Sequence, residues 1–305
     1  MYMSVIINQL VVLFILMAIG FALGKAKIFN QESNKTITKL ILCVALPGTI
    51  LSSVLENELT TTGGEIIFFL LMSLLSIALA FAIAIPAVRL LGGNKADNNL
   101  LIFMSVFSNS AFMGFPIIIA LFGVAATFYA SLFSFVWNIV VFSVGIMMVS
   151  GKGGKFDLKL LLNPAFITAI IAIPIALTGV QAPVFISETL RIAGSITTPG
   201  AMIVIGSILA YVPAKSIFSE WRIAPVTFIK LVLIPIATWL VFSQIITSEL
   251  QLGVLVVVAA MPVAAMASML AIEYDGNEPM ASAGIFISTL LCGITVPLLV
   301  YFLLM

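Results

Sequence analysis

Mainly apolar runs about 20 residues long recur along the whole chain, and they limit its fold more than any other feature. In helical form, about 20 such residues span the ~30 Å hydrocarbon core of a bilayer. Ten runs qualify, approximately 4–24, 37–55, 66–91, 99–121, 125–149, 164–180, 188–211, 223–247, 252–272 and 280–304. The run at 164–180 is the shortest, with Asn163-Pro164 supplying a cap and a first-turn residue. The connections leave no room for a soluble domain; the longest, Gly151 to Leu162, contains GKGGK. With 62 % hydrophobic and 8 % charged residues, the pattern predicts an all-α integral membrane protein of ten transmembrane helices. The opening MYMSVIINQL lacks the basic region of a secretory signal and no small-residue cleavage site follows, so the first run is expected to stay as a membrane helix.

Charge tests that count independently. The odd-numbered connections hold Lys25, Lys27, Lys35, Lys39, Arg89, Lys95, Lys152, Lys155, Lys159, Lys215 and Arg222, eleven of the 13 basic residues. The even-numbered ones hold Glu56, Glu58, Glu65, Glu188 and Glu249. The positive-inside rule then makes the odd connections cytoplasmic and leaves both termini outside. The ninth connection carries only Glu273, Asp275 and Glu278, which does not conflict, because acidic residues contribute little to the rule. Arg191, three residues after Glu188, is read as half of an interfacial i,i+3 pair.

Five spans per half would make the second half enter from the opposite side, so a repeat must be inverted. Leu46-Pro47-Gly48 in the second span and Thr198-Pro199-Gly200 in the seventh match at an offset of 152, and the same offset carries Asn109-Ser110 of the fourth onto Met261-Pro262 of the ninth.

The fourth span, SVFSNSAFMGFPIII, puts Ser105, Ser108, Asn109 and Ser110 at mid-membrane ahead of Gly114 and Pro116. Pro116 is expected to free the carbonyl of Phe112, and Pro262 in the ninth span that of Val258, loosening both helices. If both helices break, the N-termini of their second halves meet, and unpaired N–H groups with positive dipole ends converge on a site suited to a carboxylate. A pair of ordinary proline kinks bridged by Ser and Asn is the plainer alternative. Lys230 lies about 11 Å inside the eighth span; it is either a snorkelling lysine or a countercharge for an anion. Asn138, beside Trp137 in the fifth span, serves interhelical bonding or the wall of a cavity.

Several functions lose their chemical basis. A net charge of +1 offers no basic surface for nucleic acid, and the absence of histidine removes His-ligated metals and His-based acid–base chemistry. Cys43 and Cys292 lie in apolar runs without CxxC spacing and read as buried thiols. No Asp or Glu lies near the middle of a span, so a deep ion-exchanging carboxylate is missing, and no nucleophile–base pair suggests an enzyme. No cofactor, metal or catalytic assignment follows.

The segments ALPGTIL, SNSAFMGFP, KLVLIP and AAMPVAAMASMLAIEYDG occur in order along the chain, and with them it resembles the auxin efflux carrier family, in a short prokaryotic form within the bile/arsenite/riboflavin transporter superfamily. One departure is that Ser108 and Ser110 frame Asn109 where the family more often has Gly-Asn-x-Gly. The resemblance implies a fold like that of bile-acid/sodium symporters, a 5+5 inverted repeat in which broken helices 4 and 9 cross at the substrate site. It implies a scaffold of helices 1, 2, 6 and 7 (1–60 and 163–212) and a transport domain of helices 3–5 and 8–10 (65–150 and 222–305). Carried over by position, Asn109 and Ser110 match the fourth-helix crossover, Pro262 the ninth, and Pro47 and Gly48 a scaffold segment facing the site. Ser108, Met261, Asn138 and Lys230 complete the substrate-binding set, with Gly114, Pro116 and Pro262 as helix breaks. The expected function is secondary transport of a small organic anion, a malate- or malonate-like carboxylate or an auxin-like aromatic acid, by elevator-type alternating access. Sodium-coupled bile-acid-type symport and a non-transporting receptor or channel on the same fold are the alternatives. Partners are the carboxylate, membrane lipid and, through the scaffold, a second copy; the expected location is the cell membrane.

Overall fold

Apolar sequence makes helices here, and prolines decide where those helices widen. The computed structural model describes residues 2–55, 61–150, 164–211 and 220–304. Of the connections discussed above, Glu56, Glu58, Lys152, Lys155, Lys159, Asn163 and Lys215 lie outside the described residues, as does GKGGK. The described helices are α1 (Tyr2–Lys25), α2 (Gln31–Leu55), α3 (Gly63–Leu90), α4 (Lys95–Val106), α5 (Ser110–Phe122), α6 (Val124–Ser150), α7 (Pro164–Thr178), α8 (Val184–Leu209), α9 (Ile223–Phe242), α10 (Glu249–Ala259), α11 (Met266–Glu273) and α12 (Glu278–Leu303). Six of them, α2, α3, α6, α8, α9 and α12, are long and apolar enough to cross a membrane, whereas α5, α7, α10 and the apolar part of α1 are shorter apolar helices. The chain is an all-helical, multi-pass membrane protein.

Two boundaries differ from the hydropathy reading for a physical reason. α2 begins at Gln31, because Asn30 and Ser33 close a reciprocal capping box around a polar first turn that hydropathy does not register. α8 begins at Val184, one residue after Pro183.

Wide π-turns span Ile41–Ala45, Ser110–Gly114 and Ile229–Leu233, and each ends two residues before a proline, at Pro47, Pro116 and Pro235. A proline lacks the N–H for the carbonyl four residues back and its ring clashes with that carbonyl, so an extra residue in the preceding turn relieves the crowding. A fourth such turn, Val141–Gly145, has no proline after it.

The chain forms two compact units. The first comprises Met1–Leu71, Ala111–Phe135 and Leu162–Tyr211. Within it α1 lies along the second half of α8 with backbones touching. A Cβ built on Gly20 would sit 2.0 Å from the Ile203 carbonyl oxygen, and one on Gly206 would sit 1.8 Å from that of Met17. Where lipid provides no hydrophobic drive between helices, such close approach through small residues is a main source of association. α2 meets the first half of α8 similarly. A Cβ on Gly48 would lie 2.8 Å from the Leu190 oxygen, and the Thr49 hydroxyl is 3.0 Å from the Gly194 oxygen and 2.8 Å from the Thr197 hydroxyl. In the first half of α8, Arg191 and Glu188 form the expected i,i+3 pair at 2.5 Å.

The second unit comprises Met72–Ser110, Val136–Leu161 and Val212–Met305. Its helices α4 and α10 are built alike. Each starts on a side-chain cap, Asn94 accepting from the Asp97 N–H and Ser248 from the Gln251 N–H. They stop at Val106 and Ala259, inside the apolar runs, so the fourth and ninth runs are each split. Arg222, just ahead of α9, fastens one end of this unit. Its guanidinium reaches Asp97 at 3.2 Å, Glu220 at 2.9 Å and the Gly92 carbonyl at 3.2 Å. It also fills the space a Cβ on Gly93 would need, at 1.9 Å. The Arg222 hydrogen bond holds the Glu220 carboxyl below its ordinary range, and the two carboxylates hold the guanidinium above its own.

Because the Glu220 value is depressed on folding, its contribution is present above the ordinary carboxylate range and disappears as pH falls through the folded value. Arg222→Ala is expected to destabilise by about 2–3 kcal/mol, less than a fully buried pair since both carboxylates retain some exposure. It should also flatten the acid limb of the stability curve. Melting of the detergent-solubilised protein across acid pH checks both, and an unchanged acid limb would contradict the account.

Candidate functional site

Between α4 and α5 the residues Phe107, Ser108 and Asn109 leave the helix, and Ala260–Ala265 do the same between α10 and α11. The two breaks pair with each other. Ser108 and Val263 form an isolated antiparallel bridge; the Asn109 N–H donates to the Pro262 oxygen at 2.8 Å, and the Ala264 N–H to the Phe107 oxygen at 3.0 Å. Non-helical backbone at this depth must be satisfied by protein or enclosed water, and here each break is the other's partner. Ser288 on α12 adds a brace, its Oγ accepting the Val263 N–H at 3.1 Å.

This pairing revises two expectations. The carbonyl of Val258 is not freed by Pro262, since it accepts the Met261 N–H at 3.2 Å in a tight final turn. The proline instead lets the chain leave the helix altogether. The amides of the crossing are also largely engaged: those of Asn109, Ser110, Val263 and Ala264 donate to Pro262, Ser108, Ser288 and Phe107 respectively. The basic group at the crossing is therefore a side chain. Lys230 is fully buried (0 % exposed), directed inward by the wide turn of α9, with Nζ 2.5 Å from the Ser108 hydroxyl and 3.3 Å from the Val106 carbonyl. Val106 is the last residue of α4, whose carbonyl end carries the negative pole of that half-helix, so an ammonium is well placed there. Snorkelling does not describe this lysine.

The structure thus brings Ser108, Asn109, Ser110, Met261, Pro262 and Lys230 together in the second unit, all of them buried. Asn138 is buried on α6 in the same unit, and the ring of its neighbour Trp137 stands edge-on to Phe107 at 5.8 Å. Gly114 and Pro116 form the last residue of a wide turn and the first turn of the regular part of α5. Pro47 and Gly48 belong to the first unit, where Gly48 packs on α8.

Sequence reading missed Ser288 and the Arg222–Asp97 pair. Ser288 carried a signal, since Ala281, Gly284, Ser288 and Cys292 mark one face of α12 with small side chains at spacings of three and four. Nothing local in Arg222 or Asp97, 125 residues apart, announces their pairing.

The sequence is similar to known proteins along most of its length. The chain is 26 % identical to an uncharacterized transporter of Methanocaldococcus jannaschii over 296 residues, covering 92 % of this chain and 94 % of that one. It is 24 % identical to the uncharacterized transporter YfdV of Escherichia coli K12 over 311 residues, covering 97 % and 96 %. It is 23 % identical to an uncharacterized transporter of Methanothermobacter thermautotrophicus, covering 93 % and 94 %. A family model described as "Membrane transport protein" matches residues 5–300. With that match spanning nearly the whole sequence, the protein belongs to this membrane transport family, the auxin efflux carriers, in its prokaryotic form.

Proposed function

We propose that the protein is a secondary transporter of a small organic anion, a mono- or dicarboxylate, working by elevator-type alternating access. The observation that carries this reading is Lys230, a basic amine sealed beside the paired helix breaks in an interior whose other buried polar groups near it are neutral. A carboxylate is the ligand whose charge such a site complements. In this reading the chain spans the cell membrane ten times as two inverted halves of five, with both termini outside. Helices 1, 2, 6 and 7 form the scaffold, through which two copies associate. Helices 3–5 and 8–10 move, and Ser108, Asn109, Ser110, Met261, Pro262, Asn138 and Lys230 bind the substrate, with Pro47 and Gly48 on the facing scaffold.

Counterflow in proteoliposomes tests this, comparing malate, malonate, succinate and indole-3-acetate with and without sodium. Saturable exchange of one of them is the expected result and sets the substrate class. Tight binding without exchange would point to a receptor, and exchange that requires sodium to a bile-acid-type symporter. Sodium symport ranks lower because Asp and Glu are missing from the buried residues described here.

A further inference from the structure

Among the described residues Lys230 has no acidic counterpart. Its two acceptors, the Val106 carbonyl and the Ser108 hydroxyl, are neutral. The wide turn that holds it packs against the rest of α9, α4 and α12. The titratable group beside it on α12 is the buried Cys292 thiol. The others on these elements are remote. Lys95 and Asp97 lie in the first turn of α4, about 14–17 Å along the helix from Val106, and Asp97 is engaged by Arg222. Glu278 is in the first turn of α12 and Tyr301 near its far end. Glu249 and Glu273 sit at the outer ends of α10 and α11.

An enclosed charge without a counter-charge costs several kcal/mol, and an opposite charge arriving beside it removes much of that cost. Protonation of the Lys230 amine and binding of a carboxylate at the crossing therefore favour one another, and such linkage is reciprocal. The partners of Nζ suit both states of the amine. The Val106 carbonyl accepts from an amine or an ammonium, and the Ser108 hydroxyl accepts from the ammonium or donates to the neutral nitrogen. The crossing stays tied whichever state is present.

We infer that Lys230 is the proton carrier of the transport cycle, so that each substrate anion crosses with one proton. In the empty protein the side chain is the neutral amine. When a carboxylate enters, the amine takes one proton from water on that side, and anion and ammonium cross as a pair. On the far side the anion leaves and the ammonium returns its proton to water, which restores the amine. No sodium ion takes part. The inference rests on the carrier reading above and adds its coupling ion.

The test loads a pH-sensitive dye into proteoliposomes and applies an inward malonate gradient at pH 7.5, with the wild-type protein, Lys230→Arg and Lys230→Met. Wild-type uptake is expected to acidify the lumen by about one proton per malonate, without sodium. Lys230→Arg, permanently charged, is expected to exchange malonate without acidification, and Lys230→Met to lose most exchange. Malonate uptake by the wild type with no luminal acidification overturns the proton role and leaves the carrier intact. Acidification per malonate that persists in Lys230→Arg overturns it too. Should neither variant exchange, malonate is titrated into wild-type protein in weakly buffered detergent solution with a pH indicator. Proton uptake on binding is then the expected result, and binding without it ends the proposal. Failure of every carboxylate to exchange or bind is a different outcome, which removes the carrier reading itself.

Discussion

Asn109→Ala is expected to weaken carboxylate exchange by about 10- to 150-fold, the worth of roughly 1.5–3 kcal/mol of hydrogen bonding to a charged ligand. The protein should nevertheless remain folded. The backbone explains this separation. The main-chain N–H of Asn109 donates to the Pro262 oxygen at 2.8 Å, and alanine keeps that bond. Only the amide side chain is lost, from a position with 8 % exposure. Counterflow of malonate and thermal melting, measured on the same preparation, check the two halves of the expectation. Wild-type exchange rates in this variant would remove Asn109 from the site, whereas a collapsed melting transition would recast it as a structural residue.

Gly206→Leu is expected to have the largest effect on folding. The Met17 carbonyl oxygen stands 1.8 Å from where its Cβ would be, and the obstacle is main chain rather than a flexible side-chain tip. Even a methyl group requires α1 and α8 to separate, and leucine requires several ångströms more. Overpacking of this kind usually costs about 1–3 kcal/mol where neighbours can yield, and here the loss should exceed that range because two backbones must part along their contact. Gly20→Leu, which meets the Ile203 oxygen at 2.0 Å, should behave alike. Gly123→Leu provides the contrast in space, since nothing lies within 4 Å of its Cβ, although its φ of +82° adds backbone strain of its own. Size-exclusion chromatography of purified variants measures the outcome; monodisperse Gly206→Leu at wild-type yield would show the contact to be looser than described.

Ser288→Ala provides a subtler expectation. It leaves the Val263 N–H without its side-chain acceptor at the centre of the crossing. Removing such a partner costs about 1–3 kcal/mol, so the variant should exchange carboxylate with a raised half-saturation concentration. Restored behaviour in Ser288→Thr, which keeps a hydroxyl, would assign the effect to that bond, and an Ala variant indistinguishable from wild type would discount it.

Much of this molecule was readable before any coordinates. Backbone groups in lipid have to be satisfied within their own segment, so apolar runs of this length admit little besides helices. Prolines that remove an N–H announced disturbances near Ser110–Gly114 and Pro262, and a wide turn and a break are found there. The local pair of Glu188 and Arg191 was legible because three residues along a helix is a contact distance. The tertiary structure alone decided how the disturbances resolve. Hydropathy cannot indicate that Ser108 and Val263, 155 residues apart, find each other as extended backbone, and so it could not tell free amides from paired ones. Nor could the sequence place Lys230, since a lysine in an apolar run can reach for the interface or turn inward with equal ease. Its fate was set by the wide turn ahead of Pro235 and by the buried carbonyl end of α4, neighbours that only the folded chain brings to it.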